Sequence, residues 1–223
     1  MNRLRRAMVS GALASYALAH TVRAQLAPEA LGAREAVVPV LRSFIGLEAD
    51  KLRQAQKIAP YAEPASKGDH APVIDHFVGD LHIRYGFASP KGVLHFVREI
   101  DLRLLSVKRE EVLALALANY RKRYPGLRVE QPDAPISRLA GGGRETESAA
   151  MLDAAFWERQ KRGSEIIAGA PSREALVFTA VPTEERIEEL RLIVQAAYAQ
   201  AGRTALSKHL YAWRDRRWVV YET

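Results

Sequence analysis

Two apolar runs, residues 166–170 and 175–181, flank the polar turn Pro171-Ser172-Arg173-Glu174. Neither run alternates with polar residues, so a β-hairpin over this stretch is expected to be covered on both faces, in the middle of an antiparallel sheet. Residues 80–88 keep a clearer rhythm: Leu81, Ile83, Tyr85 and Phe87 take one face, and Asp80, His82 and Arg84 the other. That pattern predicts a half-buried strand, which Ser89-Pro90-Lys91-Gly92 turns back into residues 93–97 as a first hairpin. A third hairpin is expected where residues 210–213 and 218–221 enclose Arg214-Asp215-Arg216-Arg217 and set aromatic side chains opposite each other.

Helical spacing marks other segments. Residues 109–124 carry Val112, Leu113, Ala116, Leu117 and Tyr120 on one stripe and stop at Pro125-Gly126. Residues 147–162, capped by Thr146, place Leu152, Ala155, Phe156 and Arg159 along one side and meet Gly163 as a left-handed stop. Thr183 caps a third helix with Glu184 and Glu185 at its positive end, a stripe through Ile187, Leu190, Val194, Ala197 and Tyr198, and Gly202 after it. A short helix over 47–59, an edge strand or an irregular start at 36–44 around Pro39, and short strands at 127–130 and 136–139 complete the pattern. The pattern predicts a single α+β domain over residues 25–223: a mainly antiparallel sheet built from hairpins, with helices packed on it.

Residues 1–24 read as an export leader. A basic start with Arg5-Arg6 precedes a weakly apolar stretch, and Val22-Arg23-Ala24 offers a small-residue cut before Gln25, in the manner of a twin-arginine signal. An exported or periplasmic mature chain is therefore expected. The alternative is a cytoplasmic protein that keeps this segment as a helix, or that starts at Met8. The segment is too short and interrupted for a stable membrane span.

Composition is that of an ordinary globular chain, 48% apolar and 26% charged. The absence of cysteine excludes disulfides, thiolate zinc sites and a cysteine nucleophile. A net charge of +7 suggests nucleic acid, but four of the 33 basic residues lie in the leader. Removing them leaves 29 against 26 acidic residues, or +3, and the rest are intermixed.

Candidate chemistry is sparse. His82 and Asp80 point the same way along one strand, and His95 is placed opposite them across the hairpin, so Asp80, His82 and His95 form a candidate site for a divalent metal. No compact ligand spacing accompanies them, and the polar outer face of an edge hairpin explains them without a metal. Gly141-Gly142-Gly143 before a helix lacks a P-loop lysine and is expected to be a flexible connection. Asn119 sits within an apolar helix and needs hydrogen-bond partners there, so it is expected to tie helix to sheet. Arg173 and Glu174 are either active groups on a rigid turn or an exposed ion pair at a hairpin tip. Arginines beside Tyr211, Trp213, Trp218 and Tyr221 would suit single-stranded nucleic acid, or are sheet packing beside a soluble turn.

The order of several short segments resembles the YtpQ-like family of bacterial proteins, a domain family of unknown function. The resemblance runs over about residues 36–222. It rests on Val38-Pro39-Val40-Leu41-Arg42, residues 80–85, Ala116 with Asn119, residues 147–152, Ala170-Pro171-Ser172-Arg173-Glu174-Ala175-Leu176, and Leu206-Ser207 with the final hairpin. It implies no catalytic residue and no cofactor, and it implies a leaderless cytoplasmic protein, from which residues 1–24 depart. The expected function is a non-catalytic binding or protein-interaction domain, with a protein partner ahead of a nucleic acid. The rivals are a metal-dependent hydrolase using Asp80, His82 and His95, and nucleic-acid binding through the C-terminal hairpin.

Overall fold

A computed structural model describes residues 34–43, 68–89, 92–141 and 147–221. Backbone contacts divide the chain into Met1–Arg34 and Glu35–Thr223, and both sheets with their α-helices belong to the second unit. The leader at 1–24 and the helix expected over 47–59 lie outside the described residues.

Strand β1 (Val37–Ser43), β2 (Ile74–Val78), β3 (Leu81–Ser89) and β4 (Gly92–Phe96) form one antiparallel sheet. Along its length β3 pairs with β1, while β2 and β4 share its other edge, β2 from Leu81 to Arg84 and β4 from Gly86 to Ser89. As Pro39 suggests, β1 is an edge strand. A second sheet runs in the order β10-β9-β7-β8-β6-β5. Its members are β5 (Arg128–Glu130), β6 (Ser137–Ala140), β7 (Ile166–Ser172), β8 (Ala175–Thr179), β9 (Leu210–Arg214) and β10 (Arg217–Val220). The sequence leads one to expect a single sheet. There are two: β1 to β4 pair only among themselves, and alternation within a strand does not say which strands share a sheet.

The expected central hairpin does occupy the middle of its sheet. One face of β7 and β8 gives Ile166, Ala168 and Phe178 to a core shared with Leu81, Ile83, Tyr85 and Phe87 of β3. The other face gives Ile167 and Val177 to Leu190 and Val194 of helix α4 (Glu184–Gln200). Two covered faces explain the unbroken apolar runs. Helix α4 approaches so closely that a Cβ at Gly169 would lie 2.3 Å from Val194 Cγ2.

Helix α1 (Glu99–Leu104) is too short to show a period and is not foreseen; Asp101 accepts from the Arg98 backbone N–H at 2.9 Å and starts it. Helix α2 (Val112–Arg123) packs on β1. The helix expected over 147–162 is instead a 3₁₀ turn, Glu147–Leu152, followed by α3 (Ala154–Gln160). The break falls at Asp153, whose carboxylate accepts the Phe156 N–H at 3.1 Å and starts a new helix. Gly163 does not adopt the left-handed conformation expected of it, whereas Gly202 does, with φ +54° just after α4. All three tryptophans join one cluster. Trp157 meets Trp218 edge-on with ring centroids 5.0 Å apart, and Trp218 meets Trp213 at 5.3 Å. Each indole N–H is bonded: Trp157 to Ala150 O, Trp218 to Met151 O and Trp213 to Glu158 Oε1.

Candidate functional site

The metal constellation does not assemble. Asp80 lies in the turn before β3, not on the strand, and its Oδ1 accepts from Ser207 Oγ at 3.0 Å and from the Tyr211 hydroxyl. His82 pairs across strands with Arg42 and His76. His95 lies on β4, beside the far end of β3, where its ring meets Phe87 at 4.6 Å between centroids. With Ser89 opposite Gly92, β4 reaches back along β3 only to Gly86, which faces Phe96, and at His82 the same edge is already taken by His76 of β2. His82 is also 7% exposed and flanked by the Arg42 and Arg84 guanidiniums, which stack on Phe96 at 5.0 and 3.9 Å. Burial first, then the positive charges of Arg84, Arg42 and His76, push its pKa down to about 4. Such a cationic setting repels a metal ion. Among the described residues no three His, Asp or Glu side chains are grouped to hold one.

Asn119 does tie helix to sheet: its Nδ2 donates to Val37 O at 2.9 Å. Arg173 is not at an exposed tip. It is 8% exposed, and the turn folds inward against the 3₁₀ turn Gly202–Thr204. Its backbone N–H donates to Thr204 O at 2.9 Å and its Nη2 to Arg203 O at 3.3 Å. Glu174 alone stays exposed, its N–H donating to Ser172 Oγ at 3.2 Å. In the C-terminal hairpin, Tyr211, Trp213 and Trp218 are buried in the core and do not offer faces for stacking bases, while half-buried Tyr221 lies under Arg214. Of the glycine loop, Gly141 has φ +88°, and residues 142–146 lie outside the described residues.

A different constellation is built where the last turn of α2 meets the start of α3. The two helices enclose a cleft of about 450 Å³ lined by Tyr120, Arg121, Tyr124, Asp153, Phe156 and Arg159, among others. Helical spacing explains the set: Tyr124 caps α2 one turn after Tyr120, and Phe156 and Arg159 are one turn apart on α3. The Tyr120 and Tyr124 ring centroids are 5.1 Å apart. Asp153 joins the two helices. Arg121 donates to it through Nε and Nη2, both at 2.8 Å, while the same carboxylate caps α3. These bonds from Arg121 hold the Asp153 carboxyl below its ordinary pKa against the opposing effect of burial, helped by Phe156 N–H and by the charge of Arg159. Burial above all raises the Tyr120 hydroxyl, which stays neutral. Arg159 is exposed, lies 6.0 Å from the Phe156 ring centroid, and has no ion-pair partner among the described residues.

Helical periodicity places these residues without marking them as a site. Tyr120 counts in the apolar stripe of α2, and Arg159 in the side of an unbroken helix. The signal that would find them is Asp153, a strong N-cap residue directly before Ala154-Ala155-Phe156, which splits the helix.

In comparisons with protein-family models, curated proteins and solved structures, nothing matches this chain. The functional reading therefore rests on the residues alone.

Proposed function

We propose that this protein is a non-catalytic binding domain that receives its ligand in the cleft between α2 and α3. One observation carries the reading: Arg121 is fixed by two hydrogen bonds to Asp153 beside the exposed Arg159 and two tyrosines. Of the five N–H donors on a guanidinium, that pairing uses two and leaves three for a ligand. Its orientation is settled before binding, which lowers the entropy cost of recognition. The volume is in the range of small-molecule sites. A two-dimensional amide NMR screen of the whole chain against small aromatic and aliphatic fragments tests this. Shifts gathered at Arg121, Tyr124, Phe156 and Arg159 are expected; shifts scattered over the surface, or none, sink the reading.

We further propose kinship with the YtpQ-like family. Several of the segments carrying the resemblance are neighbours in the fold. Ser207 N–H donates to Ala170 O at 3.1 Å, and Ser148 N–H to Arg173 O at 3.3 Å. Export is proposed from residues 1–24, and the intact mass of native protein from fractionated cells tests it: a chain beginning at Gln25 outside the cytoplasm is the expected result. Among the described residues no helix is long and apolar enough to cross a membrane.

A further inference from the structure

We propose that the cleft is selective for an aromatic carboxylate, with the ring against Phe156 and Tyr124 and the carboxylate between Arg159 and the outer edge of Arg121. This rests on the cleft being a ligand site. The charges lining it select the sign: two guanidiniums face one carboxylate, and that carboxylate, Asp153, is already paired with Arg121. Arg159, whose guanidinium lies 6.0 Å from the Phe156 ring centroid, is the cation lining the cleft that has no ion-pair partner among the described residues.

Tyr120 and Arg121 belong to the C-terminal turn of α2 and Tyr124 caps it, so the partial negative charge of the helix end weighs against an anion there, and the selection of an anion comes from the two guanidiniums. The guanidinium fork matches the two oxygens of a carboxylate in geometry. The half-buried Tyr124 ring and Leu127, with Pro125, Ala155 and the edge of the largely buried Phe156, form the accessible apolar part of the lining. A flat ring buries area against them at little cost in conformational freedom. Carboxylate alone would leave the Tyr124 face and Leu127 uncovered, and a neutral ring would leave Arg159 unmatched.

Benzoate is the simplest probe, titrated against the full chain by amide NMR, with benzamide and benzylammonium as neutral and cationic partners of the same shape. Saturable benzoate binding at the cleft is expected, weakened about tenfold or more with benzamide, in keeping with loss of a charge-assisted hydrogen bond. Arg159→Gln, at an exposed position, is expected to lower benzoate affinity by a similar factor and to leave benzamide affinity and the melting temperature unchanged. Benzoate binding no better than benzamide, or equally well to Arg159→Gln, overturns the carboxylate assignment. Benzamide or benzylammonium shifting the cleft resonances while benzoate does not overturns the ligand class and leaves the cleft as a site. If none of the three shifts Arg121, Tyr124, Phe156 or Arg159, the cleft itself is not the site.

Discussion

The Tyr211 hydroxyl donates to Asp80 Oδ1 across 131 residues of sequence, and the bond fastens the β2–β3 turn of one sheet to strand β9 of the other. Ser207 reaches the same carboxylate oxygen from the loop before β9. Gly79, beside Asp80, makes the approach feasible: with φ +55°, a Cβ there would lie 2.8 Å from Val220 Cγ2. Burial and the Asp80 carboxylate together raise the Tyr211 hydroxyl well above its ordinary pKa, so it remains a donor throughout the physiological range. The Tyr–Asp–Ser arrangement is thus a clasp between sheets.

Replacing Tyr211 by Phe keeps the ring in the core and removes only the donor. The expected loss is about 1.5–3 kcal/mol, the range for a hydrogen bond to a charged group. Urea unfolding followed by tryptophan fluorescence should show a lower midpoint with an unchanged slope. A midpoint equal to that of the parent would mean that Ser207 alone suffices.

His82 makes stability depend on pH in a defined window. The unfolded chain protonates this imidazole near 6.5, the folded chain only at about 4. As pH falls from 6.5 to 4 the unfolded state takes up the extra proton, so stability drops, by at most about 3 kcal/mol. Above 6.5 both states are neutral at His82, and below about 4 its contribution is fully lost. Asp153 acts lower still, because Arg121 holds it below 3.8. Urea midpoints at pH 7, 5.5 and 4.5 should fall in the parent and fall much less in His82→Gln; parallel curves would remove His82 as the cause.

Gly169 is where α4 touches β7. The Cβ of Gly169→Ala would sit 2.3 Å from Val194 Cγ2, so α4 has to lift, at a cost of about 1–3 kcal/mol. Adding Val194→Ala relieves the clash. The double variant should be more stable than the sum of the two single losses by about 1 kcal/mol, and simple additivity would show that the helix shifts freely.

The turn between β9 and β10 holds two non-glycine residues in the left-handed region, Asp215 at φ +49° and Arg216 at φ +60°. Two positive φ values suit the right-handed twist of a two-residue hairpin, for which Asp-Gly is a preferred pair. Arg216→Gly should therefore stabilise the protein by about 0.5–1 kcal/mol, the relief of left-handed strain exceeding the added freedom of the unfolded chain. Thermal unfolding should show a higher midpoint. A lower one would mean that the arginine side chain contributes more at this tip than its backbone costs.

Much of the architecture could be read from local pattern. The hairpin at 166–179 announces two covered faces through its unbroken apolar runs, and Thr183 with Glu184 and Glu185 marks the start of α4 to the residue. Where two elements meet could not be read this way. Nothing in the period of residues 80–97 reveals that β2 takes the edge of β3 at His82, so that β4 with His95 pairs only from Gly86 onward. The cleft was hidden for a similar reason: Arg121 and Asp153 are 32 positions apart. Their partnership depends on how α2 and α3 pack, while Asp153 also breaks a helix whose apolar spacing runs on past it. Arg173 looked like a surface residue because its turn chemistry is that of a hairpin tip. Only the return of the chain at Gly202–Thr204 covers it.

The tryptophan cluster also sets an order on biosynthesis. Trp157 waits for Trp218, made 61 positions later, and the inner edge of β7 waits for β9. Until then a nascent chain presents Ile166–Ser172 as an unpaired apolar edge next to an indole without its neighbour. The larger sheet therefore closes only after β9 and β10 have left the ribosome. During that interval the chain depends on being shielded from its own copies, so slowing translation after residue 180 should favour aggregation over folding.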